Sequence, residues 1–352
     1  RTGYRADPPL LAFCLLPMAD PRGNPFASAV RTLGRAVYTF QQAPVGGGAE
    51  GLLYLATSQE GHRVAVKVGL RQYNGHNNAL AAEAEMLARA SAQQHPSIVE
   101  YISYHHEAPD PPLLVMQAIE MDLLTHLQQR IQVRTQAGET FEAGLMNDAL
   151  ARQLFVQSLR AADHLLSLGL VHGDIKPENI GMIGNGQLKL LDFGACREVA
   201  GPNAGTGTPG YCAPEVLEWI RVRRRGMPTA ALRYDEERAD VWSLGRTLSV
   251  IKLIAMLPQD EHSGLIQDFE YGSTFYAILK TAQETGSDGL RALHDTPQPR
   301  HGLWGFLDWP LAVSPTLADL LNGMMHYDPA QRLTIAGALA HPWLQGGGGG
   351  GG

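Results

Sequence analysis

Between residues 37 and 121 the apolar positions come in short, β-rich runs. AVYTFQQAPV, GLLYLATS, HRVAVKVGL, IVEYISYHH and PLLVMQAI are each bounded by Gly, Pro or polar clusters, the pattern of strands joined by turns. One helix interrupts them. In NNALAAEAEMLARASAQQ the set Leu80, Ala84, Leu87 and Ala90 recurs every third or fourth position, among Ala, Glu, Leu and Met, which are strong helix formers. Beyond residue 122 the helical period dominates. In LARQLFVQSLRAADHLLSLG, Leu154, Phe155, Leu159, Ala162, Leu165 and Leu166 line one face and Gly169 can end the helix. The change of texture predicts an α+β fold of two lobes: a small antiparallel sheet lobe with one main helix (37–121) and a larger, mainly helical lobe (122–345). A ligand is expected in the crevice between lobes. Residues 1–36 read as an N-terminal extension and 346–352 as a polyglycine tail or linker, which can bury nothing.

Composition narrows the classes of function. At 352 residues and 44% hydrophobic, the chain can bury a large core. A formal charge of −7, with acids and bases interspersed, gives no footprint for nucleic acid or an anionic membrane. The basic run Arg221 to Arg225 reads as a solvated loop, with a docking or import signal as the other reading. Cys14, Cys196 and Cys212 are too few and too scattered for a disulfide framework or a zinc site, which points to a reducing, cytoplasmic setting. The apolar patch from Pro9 to Met18 falls far short of the roughly 20 residues of a membrane span, so no transmembrane segment is expected. It reads as a strap packed on the domain surface. No Met opens the chain, so residues are expected before Arg1, and a targeting signal there stays open.

Several stretches carry residues suited to phosphate chemistry. VGGGAEGLLYLA offers Gly46, Gly47, Gly48 and Gly51 between two predicted strands, where backbone N–H groups can approach phosphate oxygens with no Cβ in the way. A glycine-rich hairpin without a ligand gives the same pattern. Lys67 lies in the apolar strand VAVKV and needs an anionic partner if buried; Glu83 on the following helix is the natural one, and a lysine snorkelling from a strand edge is the alternative. Asp174, Asn179 and Asp192 fall on two short loops flanking NIGMI and LKLL, and supply oxygen ligands of the kind Mg²⁺ takes. Turn-forming Asp and Asn are also common in loops for structural reasons.

Taken together, the glycine loop, VAVK, the Glu83 helix, HGDIKPEN, LLDFG, GTPGYCAPE, DVWSLG and DPAQRLTIAGALAHPWL resemble, in that order, the eukaryotic-type protein kinase family. The resemblance implies a two-lobed, ATP- and Mg²⁺-dependent enzyme whose substrate is a protein with a Ser or Thr acceptor. It assigns Lys67 to the α- and β-phosphates and to an ion pair with Glu83, Asp174 to the catalytic base, and Asn179 and Asp192 to Mg²⁺. Gly46, Gly47, Gly48 and Gly51 would cover the phosphates. Leu53 and Ala65 would cover the adenine, Met116 guard the back of its pocket, and the backbone from Gln117 to Ile119 bond its edge. Lys176 and Thr208 mark the serine/threonine-specific members; the lysine would neutralise the transferring phosphoryl and the Thr hydroxyl would tie the base to the substrate-binding segment. Glu215 is expected to pair with Arg332, and Asp240 to brace the catalytic loop.

Two departures stand out. The family's arginine before the catalytic aspartate, which receives an activation-loop phosphate, is here Gly173, and the position of the phosphorylated Thr is Ala204. Both halves of one switch are gone, which suggests a kinase that does not wait for loop phosphorylation. Gly181 replaces a bulky apolar residue under the adenine, with Met182 as the expected compensation. Two rival readings remain at this point: a kinase-fold scaffold within a larger assembly, and a small-molecule phosphotransferase, which shares HGD but generally lacks the APE segment. Segments 131–147 and 217–237 fall outside the motifs and are either protein-partner surfaces or tolerated insertions.

Overall fold

The computed structural model describes residues 30–47, 51–69, 78–107, 111–138, 146–184, 186–199, 201–208, 210–229, 232–254, 314–326 and 328–346. The apolar strap at 9–18 and the glycines after Gly346 lie outside them. Contacts divide the chain into two units, Arg1–Ala88 with Glu100–Ala118, and Arg89–Val99 with Ile119–Gly352.

The first unit is built on an antiparallel sheet of β1 (Val30–Leu33), β2 (Ala36–Phe40), β3 (Gly46–Gly47), β4 (Gly51–Ser58), β5 (Arg63–Gly69), β6 (Tyr101–His105) and β7 (Leu113–Gln117). Their order is β1-β2-β4-β5-β7-β6, with β3 paired to β4. Side chains alternate across a strand, and one face gathers Tyr38, Phe40, Tyr54, Ala56, Val64, Val66, Val68, Leu113 and Val115 into a single buried cluster. Burying each such Val or Leu side chain contributes about 1.5–3 kcal/mol, which fixes the register, because a slip of one residue would turn the whole set to the other face. The sheet starts earlier than the apolar runs indicate: β1 lies in the stretch read as an extension, and its half-exposed VRTL carries little apolar signal. Helix α1 (Asn78–Ser91) buries Leu80, Ala84, Leu87 and Ala90, the face expected from their spacing.

The second unit is mainly helical. Its elements are β8 (Met121–Asp122), α2 (Leu123–Gln136), α3 (Asp148–Ser167), β9 (Leu170–Val171), β10 (Ile180–Ile183), β11 (Gln187–Leu190), β12 (Arg197–Glu198), α4 (Pro214–Arg224), α5 (Glu236–Ile254), α6 (Pro315–Met324) and α7 (Ile335–Leu339). Polar caps start the helices: Asp122, Asn147, Ser314 and Thr334 accept the orphan amides of Thr125, Leu150, Leu317 and Gly337. α3 buries Leu154, Phe155, Leu159, Ala162 and Leu165 as expected, with Leu166 only half-buried and Ser158 and Ala161 added to the face. Small sheets β11-β10-β8 and β12-β9 frame the loops that carry the chemistry. Among the described residues no helix is long and apolar enough to cross a membrane.

Candidate active site

In the first unit, register does the positioning. β5 lies between β4 and β7, so Lys67 sits in an inner strand and not at a sheet edge; its Cα partners are Leu53 and Leu114. Since Val64, Val66, Val68, Tyr54 and Val115 occupy one face, alternation puts Leu53, Ala65, Lys67 and Met116 together on the other. There the Lys67 Nζ lies 2.7 Å from Glu83 Oε2, with the Glu83 side chain 2% exposed. Glu85, two positions on, is exposed. Gly46 and Gly47 pair with Leu53 and Leu52, while Gly48 lies outside the described residues. Gly51 has a packing reason to be glycine, because a Cβ there would collide with the Val68 carbonyl on β5. Gln117 closes β7, its amide donating to the Glu100 carbonyl at 3.0 Å, and Ile119 opens the second unit.

In the second unit, side-chain hydrogen bonds position the groups. Asp174 Oδ1 accepts from the Thr208 amide at 2.8 Å; its Oδ2 accepts from Asn179 Nδ2 at 3.1 Å and pairs with Lys176 Nζ at 3.1 Å. Lys176 also donates to Thr208 Oγ1 at 2.6 Å. Asp174 is therefore tied to the segment around Thr208 through the Thr208 amide, while the hydroxyl, expected to make that tie, serves Lys176. Burial pulls the Lys176 ammonium down, but the charges of Asp174, Glu178 and Asp192 and the hydrogen bond to Asp174 outweigh it, leaving the group above its usual 10.5. The backbone beneath is braced as expected: Asp240, on α5, accepts from the His172 and Gly173 amides at 2.7 and 3.0 Å. Glu215 meets Arg332 in a two-bond fork at 2.7 and 3.1 Å.

Asp192 holds a left-handed backbone, φ 55°, uncommon for a residue other than glycine, and its Oδ1 accepts from the Gly194 amide at 3.4 Å. Phe193 is buried beside His172, ring centroids 5.4 Å apart. His172 Nε2 in turn bonds the Leu191 carbonyl at 2.8 Å.

The protein kinase domain family matches residues 40–344 of this sequence. The chain belongs to that family. Among curated relatives, it is 27% identical over 264 residues to testis-specific serine/threonine-protein kinase 5 of Mus musculus, covering 74% of this chain and 57% of that one. It is 29% identical over 322 residues to calcium/calmodulin-dependent protein kinase type 1B of Homo sapiens, covering 88% of this chain and 76% of the relative. With the family come the α+β, two-lobed kinase fold and the class of activity, serine/threonine protein phosphotransfer; its members generally use ATP and Mg²⁺.

The kinase's donor set fits a hard cation. Asn179 is buried and gives both amide hydrogens to Asp174, to its carbonyl oxygen at 2.8 Å and to Oδ2, which leaves the Asn179 carboxamide oxygen as an acceptor. That oxygen and the Asp192 carboxylate are ligands of the type Mg²⁺ takes beside substrate phosphates.

Other expectations change. At Gly181 two distant side chains fill the space where a Cβ would sit: it would meet Ile119 Cγ2 at 2.7 Å and Leu191 Cδ1 at 3.0 Å. Arg223, in the basic run, is exposed as expected but lies in the helix α4 and not in a loop, with its guanidinium over the Trp219 ring at 5.3 Å and Nη1 3.3 Å from the Ala204 carbonyl. The end of the 217–237 segment makes internal contacts too, through Tyr234 and Glu236. Sequence reasoning missed Arg197 and Glu236, for neither lies in a motif that marks it.

Proposed function

We propose that this kinase moves the γ-phosphoryl of ATP to serine or threonine hydroxyls of a protein substrate with Asp174 as base, and that it does so without phosphorylation of its activation segment. The observation that carries the first part is the Asp174 carboxylate, gripped at both oxygens by Thr208, Asn179 and Lys176, with the lysine still cationic. The acceptor hydroxyl's proton passes to Asp174 as its oxygen bonds to phosphorus and ADP leaves. Lys176 balances the negative charge on the phosphoryl in flight. Lys67, fixed by Glu83, is the phosphate contact of the first unit, under a cover formed by Gly46, Gly47, Gly48 and Gly51; Leu53, Ala65, Met116, Gln117 and Ile119 receive the base. Asn179 and Asp192 would hold Mg²⁺, which neutralises phosphate charge.

Support for phosphate independence is the pair of residues Gly173 and Ala204, neither able to serve a phosphoryl switch. The test uses protein produced with a phosphatase and verified phosphate-free by intact mass, supplied with ATP, Mg²⁺ and a peptide library. Transfer to Ser and Thr peptides by the phosphate-free protein is expected, at rates that later phosphorylation does not raise. Transfer confined to small metabolites would overturn the substrate class, and transfer that begins only after loop phosphorylation would overturn the independence.

A further inference from the structure

A second guanidinium occupies the ground beside Gly173. That glycine sits at φ 79°, and a Cβ on it would run into Arg197 Nη1, so the Arg197 side chain, arriving from β12, fills the space where a side chain at 173 would begin. From there Arg197 reaches in several directions. Nη1 donates to the Ala195 carbonyl at 2.9 Å and to Thr206 Oγ1 at 2.8 Å; Nε donates to Glu236 Oε1 at 2.9 Å, and Nη2 pairs with Glu236 Oε2. Glu236, the first residue of α5, is 3% exposed. Asn203 adds an outer link, donating to Glu236 Oε1 at 2.7 Å and to the Tyr234 carbonyl at 3.1 Å, while the Gly205 amide donates to Tyr234 Oη at 3.1 Å.

The connection to the chemistry is short. Thr206 stands two residues before Thr208, whose amide and hydroxyl grip Asp174 and Lys176. Glu236 stands one helical turn before Asp240, which holds the catalytic-loop amides, so one face of the first turns of α5 anchors both segments.

We propose that Arg197 and Glu236 are a positioning pair: the Glu236 carboxylate supplies, permanently and from within the chain, the negative charge that fixes the activation segment on Arg197. This rests on the reading that the kinase works unphosphorylated, and names what replaces the phosphate. The Arg197 charge is already matched, so a phosphate on Thr206 would compete with Glu236 for one guanidinium and loosen the segment.

The test compares phosphate-free wild type with Glu236→Gln, which keeps shape and removes charge. Losing a charge-assisted hydrogen bond is expected to raise amide exchange across 201–208 about tenfold and to lower kcat/KM for a Ser/Thr peptide by about tenfold, mainly through the peptide KM. Exchange in α3 and the KM for ATP stay as in wild type, which a general loss of stability would not permit. Arg197→Lys is expected to keep more activity than Arg197→Met. Should Glu236→Gln fail to fold, Asn203→Ala, which removes only the outer link, must raise exchange in the same segment by about threefold. Unchanged exchange at 201–208 in these variants overturns the pair. An inert phosphate-free wild type overturns the parent reading, while the exchange data still judge the pair.

Discussion

The sheet of the first unit and the catalytic loop of the second place their functional groups by different physics. On β4, β5 and β7, Leu53, Ala65, Lys67 and Met116 share a face because strands alternate and the register is locked by the apolar cluster on the opposite side. A side-chain bond donated to Glu83 then aims the lysine. In the loop, nothing periodic aims Asp174. It is held by Thr208, 34 residues away, and the backbone beneath it by Asp240, 67 and 68 residues from the amides it accepts. A group set by register should tolerate loss of a neighbour; a group set by a hydrogen-bond network should not, and its losses should be non-additive.

The largest effect is expected at the network's centre: Asp174→Asn lowers kcat by about 10²–10⁴-fold, with a thermal melt that still reports a folded chain. Lys67→Met comes next, lowering kcat/KM by about 10²–10³-fold and destabilising by about 3–5 kcal/mol, since Glu83 is left as a buried carboxylate without its cation. Adding Glu83→Gln to it is expected to return most of the stability, read by denaturant midpoint, and none of the activity. That split separates aiming from holding. A smaller signature is the alkaline limb of the pH profile. Lys176 is raised above 10.5, so its charge and the stability it brings are complete below that value and lost only as pH rises through the higher folded value. Activity of wild type is therefore expected to stay level up to about pH 9.5 as far as Lys176 is concerned, and Lys176→Arg to leave the limb in place. The smallest effect concerns thiols. Burial, with the Asp240 charge, pushes Cys196 up to about 12 and burial with the Asp174 charge pushes Cys212 higher still, so alkylation at pH 8, mapped peptide by peptide, is expected to be slow at both.

The same contrast explains what could be read from the chain. Lys67, Glu83 and the α1 and α3 faces were legible because period and motif coincide there, and the Glu215 to Arg332 fork because both ends lie in recurring motifs. β1 was not, since its VRTL is half-exposed and carries no apolar alternation. Arg197 and Glu236 were invisible for a different reason: they are 39 residues apart, one on a short strand after a loop and one at a helix start, and only the folded unit makes them partners. Ile119 over Gly181 belongs to the same class, a missing side chain answered by a distant one. So does Arg246, fully buried in α5, with Nε on the Gly210 carbonyl at 3.2 Å and its pKa pulled down by burial to about 10.

The most direct measurement is phosphopeptide mapping of a mixed library after incubation with ATP and Mg²⁺, run in parallel with phosphate-free wild type and Asp174→Asn. Label on serine and threonine from the wild type and at least a hundredfold less from the variant is the predicted result, in line with the loss of a general base at about 10²-fold or more. Equal labelling by the two proteins would contradict the role given to Asp174, and with it the mechanism.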